Sequence, residues 1–182
     1  IYKNSLTTVV HTNGANTPVS MLKYAEFDDH QYFAIAPLGG ANVTVYRDPL
    51  KKPILTKQLP FVTIAFSGTT KLDFSDSSQF ILAQNATGFA TYDIDDRKLY
   101  RVSPQFTPAS GTVFSWINSH NIQVKRADGM VILMDYDGTN QQELISAGDQ
   151  SKLYFASNFE NIYRIVSQNG TAGIQRTSLL AE

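Results

Sequence analysis

The sequence offers few side chains whose type and spacing could do chemistry. Its three histidines, His11, His30 and His120, stand far apart, and no two share the spacing of metal ligands. His30 and His120 fall in expected hairpin turns, so they read as solvated turn residues rather than general bases. A Ser-His-Asp triad can assemble without regard to sequence order, but no Gly-x-Ser-x-Gly elbow marks a nucleophile here. With no cysteine there is no disulfide framework and no Cys-ligated zinc site.

The acidic clusters invite a metal but fit a turn better. Asp93-Ile94-Asp95-Asp96 and Asp135-Tyr136-Asp137-Gly138 offer oxygens to calcium. Neither follows the EF-hand loop, which places glycine sixth. Hairpin turns want the same residues, because Asp accepts nearby backbone N–H groups and Gly supplies conformational freedom. A glycosidase needs two carboxyls facing each other across a cleft, and the acidic residues here fall mostly in turns. Leu38-Gly39-Gly40-Ala41 is not followed by a helix, so it holds no phosphate at a helix N-terminus. No metal, no cofactor and no catalytic residue is expected.

Composition narrows the classes further. The 182 residues carry 15 Lys and Arg against 16 Asp and Glu, a net charge of −1. A general nucleic-acid binder concentrates positive charge, so none is expected as a partner. The basic residues are scattered apart from Lys51, Lys52 and Lys57. No apolar run approaches the ~20 residues of a membrane helix. The sequence begins at Ile1 rather than Met and is read as an excerpt of a longer protein.

The elements that must position any site are strands. No apolar pattern of helical period is sustained over three turns. Short apolar or alternating runs recur instead, rich in β-branched and aromatic residues and separated by turn clusters. Expected strands cover 6–11, 20–26, 31–36, 42–47 and 54–59, then 70–74, 79–84, 89–93 and 98–103. The second half adds 112–117, 121–126, 130–136 and 143–146, then 152–156, 162–166 and 173–178. Between them lie Asn13-Gly14, Gly39-Gly40, Asp48-Pro49, Asp95-Asp96, Asp128-Gly129, Asp137-Gly138 and Asn169-Gly170. Asn-Gly and Asp-Gly favour the positive φ angles of tight hairpins. The chain therefore reads as an antiparallel meander.

The meander repeats. Phe27, Phe74, Phe114 and Phe155 each close an expected first strand, at intervals of 47, 40 and 41 residues. A polar turn beside a tyrosine follows the first three: Tyr46-Arg47-Asp48-Pro49, Tyr92-Asp93-Ile94-Asp95 and Tyr136-Asp137-Gly138. Four strands in such a unit match the size of a β-propeller blade. The middle strands carry solid apolar runs, as in 32–36, 80–83 and 130–134, and a strand apolar on both faces must be covered on both. Stacked blades supply that cover. The fold class expected is all-β, a β-propeller of about four blades over 20–59, 70–103, 112–146 and 152–178. A two-sheet sandwich has no reason to repeat turn chemistry at fixed spacing.

The stretches Tyr136-Asp137-Gly138-Thr139-Asn140-Gln141-Gln142-Glu143-Leu144 and Lys152-Leu153-Tyr154-Phe155, with the segment 24–49, resemble the irregular WD40-like or TolB-like propeller blades of bacterial proteins. Comparable blades accompany PEGA domains in envelope proteins. The Gly-His and Trp-Asp signature of regular WD40 repeats is missing, since Trp116 is followed by Ile117. Residues 6–11 either complete the last blade and close a four-bladed ring, or end an earlier blade of a larger propeller.

The resemblance implies a non-catalytic module that binds a protein or an envelope polysaccharide, outside the cytoplasm at a bacterial cell surface. Further blades of the same full-length chain are another expected partner. Rigid blades would hold loops around a central opening. The expected contact loops are 38–41, 85–88, 126–129 and 147–151, with Arg126, Asp128 and Asp149 as contact residues. A carbohydrate-binding propeller and a propeller glycoside hydrolase are the alternatives. The first would group exposed aromatics on one face, and the second would need paired carboxylates in a central pocket.

Overall fold

The computed structural model describes residues 20–51, 59–111, 113–148, 152–168 and 170–179. They form four separate antiparallel meanders. The first sheet joins β1 (Ser20–Phe27), β2 (His30–Pro37), β3 (Asn42–Arg47) and β4 (Val62–Ala65). The second joins β5 (Lys71–Phe74), β6 (Phe80–Gln84), β7 (Phe89–Asp93) and β8 (Lys98–Val102). The third joins β9 (Ser115–Trp116), β10 (Asn121–Lys125), β11 (Met130–Asp135) and β12 (Gln142–Ser146). The fourth has three described strands, β13 (Tyr154–Phe155), β14 (Asn161–Gln168) and β15 (Thr171–Ser178). Chain order equals strand order in every sheet.

The hairpin turns follow from residue chemistry. Asp28 and Asp29 both adopt positive φ between β1 and β2, the geometry of a two-residue type I′ turn. Gly138 is held more tightly. Its φ is +84°, and a Cβ built there would lie 2.5 Å from Val102 Cγ1.

Packing between sheets defines the fold. A strand sends alternate side chains to opposite faces. In β6, Ile81 and Ala83 therefore join Tyr32, Ala34, Ala36, Val43, Val45 and Ile64 of the first sheet. The intervening Leu82 joins Ile122, Val124, Ile132 and Met134 of the third. A third cluster joins Val131 and Ala147 to Leu153 and Ile162. Each apolar cluster is thus the seam between consecutive sheets, and β6 and β7 are buried along their whole length. Tandem meanders stacked face to face in this way make a β-propeller.

Polar pins lock the seams. Gln84 on β6 accepts the Phe114 N–H at 2.8 Å. Gln123 on β10 accepts the Leu153 N–H at 2.8 Å and donates to the Leu153 carbonyl at 2.9 Å. In both seams a buried glutamine on the second strand grips the chain just before the next sheet begins. Thr91 donates to the Tyr136 carbonyl at 2.7 Å, and Arg101 to the Ala65 carbonyl at 3.1 Å.

Three sequence readings need correction. The first unit does not close at 59: its fourth strand is Val62–Ala65. The alternating run around Ile64 sends that side chain into the first seam, whereas Leu59 is exposed. Of the other expected strands, 6–11 and residues 54–58 lie outside the described residues. Phe114 does not close a first strand; it precedes β9, held by Gln84, and its ring packs 4.8 Å from that of Phe89. Trp116, paired with Ile122, takes the place that Phe74 and Phe155 hold opposite Ile81 and Ile162. The tyrosine alignment also slips. Tyr46 and Tyr92 match Met134 in the ladder, while Tyr136 lies beyond the strand end and stacks 4.2 Å from Phe80.

Replacing Gln123 with leucine keeps the volume but strands both backbone groups of Leu153. The expected cost is about 1–3 kcal/mol for each buried group left unpaired, read as a lower urea midpoint. An unchanged midpoint would contradict the pinning role.

Candidate functional site

Sequential antiparallel order sends connections alternately to the two ends of the sheets. One end gathers the β2–β3, β6–β7 and β10–β11 connections together with the three sheet-to-sheet crossings. These are 38–41, 85–88 and 126–129 with 66–70, 103–114 and 147–153. The expected contact loops therefore share one face, with residues 149–151 outside the described residues.

Hydrogen bonds run across that face from loop to loop. Gly39 N donates to the Thr69 carbonyl at 2.8 Å, and Gly68 N to the Gly40 carbonyl at 2.9 Å. Asn85 Nδ2 reaches the Ser67 carbonyl at 3.0 Å. Residues 107–109 lie along the end of β10: Ala109 N donates to the Lys125 carbonyl and Ala127 N to the Thr107 carbonyl, both at 2.9 Å. Lys125 Nζ closes the series on the Gly148 carbonyl at 2.5 Å. Backbone donors and acceptors satisfied in this way fix the loops on the scaffold.

A cavity of about 540 Å³ opens among these loops, lined by Thr70, Lys71, Gln84, Asn85, Ser110 and Phe114. Lys71 is the charged member. Its ammonium donates to the Phe114 carbonyl at 2.8 Å and lies 3.7 Å from Asp73. Burial pushes its pKa down; Asp73 opposes that shift, and Lys152 and Lys23 add to it by repulsion. A desolvated ammonium with other cations nearby gains by meeting an anion.

Of the residues singled out from the sequence, Arg126 and Asp128 do meet. Arg126 Nε donates to both Asp128 oxygens at 2.9 Å, and its Nη1 pairs with Glu143. Hydrogen bonds from Arg126 and from the Met130 N–H hold the Asp128 carboxyl below the usual range. The two side chains are thus engaged with one another, and Arg126 also with Glu143. Asp149 lies outside the described residues, as does His11.

The other titratable groups clasp the opposite end. His30 is not a turn residue but opens β2, and its Nδ1 bonds to Asp48. His120 stays in a turn, its ring 5.5 Å from Phe80. Asp48 also accepts the Gln31 N–H at 3.0 Å and pairs with Lys51 at 2.9 Å. Asp93 accepts from Gln79 at 3.2 Å, and Asp135 from Asn121 at 2.7 Å. Three sheets thus tie the end of the third strand to the start of the second through an aspartate. The signal was present in the sequence, since Asp93 and Asp135 each stand 14 residues after a polar partner. Asp93 also takes the Asp95 and Asp96 N–H groups, and Asp137 that of Thr139. Among the described residues no group of three or more His, Asp and Glu is placed to hold a metal ion. No described helix is long and apolar enough to cross a membrane.

Many of the aromatic side chains line the seams. Tyr32, Phe61 and Tyr92 meet edge to face, with Arg47 5.0 Å from the Phe61 centroid. Phe80 meets Trp116 and Tyr136 in the next seam. The bond to Tyr100, then burial, pushes the Tyr136 hydroxyl up to about 12.

No protein-family model matches the chain, and no curated protein matches it. Solved structures do. A protein from Lactobacillus plantarum is 14% identical with a TM-score of 0.51, covering 88% of this chain and 55% of that one. The N-terminal domain of Nup159 is 11% identical with a TM-score of 0.50, covering 97% of this chain and 55% of that one. The likeness shows a shared β-propeller fold. The chain spans about half the length of these structures.

The aspartate clasp makes stability depend on acid. Burial works against the Asp48 charge, but the Gln31 N–H, Lys51 and His30 outweigh it and hold the carboxyl well below the usual range. Such a group stabilises the fold above its unfolded pKa, and the benefit fades as pH falls through the acid range. Asp48→Asn is expected to lower the urea midpoint at about pH 6 and to narrow its gap to the unmodified protein towards about pH 3. An equal gap at both pH values would contradict the clasp.

Proposed function

We propose that this β-propeller is a non-catalytic module that binds a protein partner through its loop face. The observation that carries the reading is the 540 Å³ cavity set in hydrogen-bonded loops, with Lys71 as its charged wall. Interface pockets take an anchoring side chain most tightly when both pocket and anchor are rigid. The chemistry of Lys71 favours a carboxylate-bearing segment, with Thr70, Asn85 and Ser110 offering further hydrogen bonds. The seam positions of Tyr32, Tyr92, Phe80 and Trp116 do not favour a carbohydrate-stacking platform. The resemblance of 136–144 and 152–155 to envelope propeller blades supports placement outside the cytoplasm at a bacterial surface.

The test uses a fluorescein-labelled oligoglutamate peptide and the full 182-residue chain. Saturable binding is expected, weakened at least about tenfold by Lys71→Met and left intact by Asp76→Lys on the opposite end. Thermal melts confirm that each variant is folded. No saturable binding, or equal affinity for Lys71→Met, would overturn the reading. Turnover of a chromogenic glycoside panel would overturn its non-catalytic part.

A further inference from the structure

The covered faces of the sheets and the two outermost faces have the same chemistry, but among the described residues the outermost faces are open. On the first sheet, the face turned away from the second carries Leu22 and Tyr24 of β1 beside Ile35 and Phe33 of β2. The ladder pairs Leu22 with Ile35 and Tyr24 with Phe33, so the four form one block. Leu22 is 59% exposed and Tyr24 48%. Inside the stack, Ile81 and Leu82 of β6 are fully buried. On the fourth sheet, the ladder pairs Ile165 with Ile174 and Tyr154 with Tyr163. Ile174 is 78% exposed, and a cavity of about 390 Å³ lies over these four side chains.

Apolar blocks of this kind on both ends of a stack mark an interaction surface. One end presents the front of a seam and the other its back. We infer that two copies of this chain pair head to tail. The fourth sheet of each copy seats on the first sheet of the other.

Charge complementarity and closure favour a second copy as the occupant. The charges are complementary: Glu26 lies on the face of Leu22 and Tyr24, and Arg176 on that of Tyr163 and Tyr154. A two-fold axis forms both contacts at once, so the pairing closes rather than growing into a fibre. Sheets that share seams inside one chain then share them between chains, by the same burial of alternating apolar residues.

Sedimentation velocity of the full chain tests this. The expected particle has twice the 20.2 kDa chain mass, about 40 kDa. Leu22→Lys and Ile174→Lys each break both contacts and are expected to shift it to the single-chain mass. Both sites are exposed within one chain, so circular dichroism should show each variant folded. A single-chain mass for the unmodified protein would overturn the inference and assign the outermost faces to another partner. A dimer unaffected by either variant, or a mass that climbs past two chains with concentration, would overturn it as well. None of these outcomes depends on oligoglutamate binding at Lys71, which lies among the loops.

Discussion

The structure depends on one constraint: a strand that is apolar on both faces needs a neighbour on both. In β6 the constraint is explicit, because Ile81 belongs to one apolar cluster and Leu82 to the next. A single meander cannot satisfy it. Stacking consecutive meanders does, and it makes each sheet a shared wall of two cores. Short outer strands such as Lys98–Val102 and Gln142–Ser146 can then be polar, because they face water at the rim.

Polar pins add register to this apolar stacking. Side-by-side apolar faces slide at low cost, whereas a buried glutamine bonded to a specific peptide group does not. Gln123 on both backbone groups of Leu153 sets where the fourth sheet begins, and Gln84 on Phe114 does so for the third. The aspartates Asp48, Asp93 and Asp135 do similar work within a sheet at the opposite end. With both ends tied, the loops around the Lys71 cavity rest on a hydrogen-bonded scaffold.

Local chemistry made much of the fold legible. The strands 42–47 and 89–93 could be read from alternation and flanking turns, because both signals sit within a few residues. The seams could be anticipated from the solid apolar runs 80–83 and 130–134. What could not be read depends on distant partners. Lys71 meets Phe114 across 43 positions, and Gln84 meets the same residue across 30. No pattern near Lys71 announces that burial. The β4 strand is not legible locally, because the apolar run 54–59 precedes it and the burial of Ile64 in the first seam depends on distant partners. Arg126 and Asp128 are expected from the sequence as contact residues on the loop 126–129, but the pairing of Arg126 with Glu143 follows from the ladder between β11 and β12.

The most direct test of the stacked arrangement is a methyl-resolved NOESY spectrum with Ile81 and Leu82 assigned. Adjacent in sequence, they should report two different cores: Ile81 should show contacts to Val43, Val45 and Ile64, and Leu82 to Ile122, Ile132 and Met134. Contacts running directly between the Val43 group and the Ile132 group would place the first and third sheets against each other. That result would contradict sequential stacking and leave a sandwich in its place.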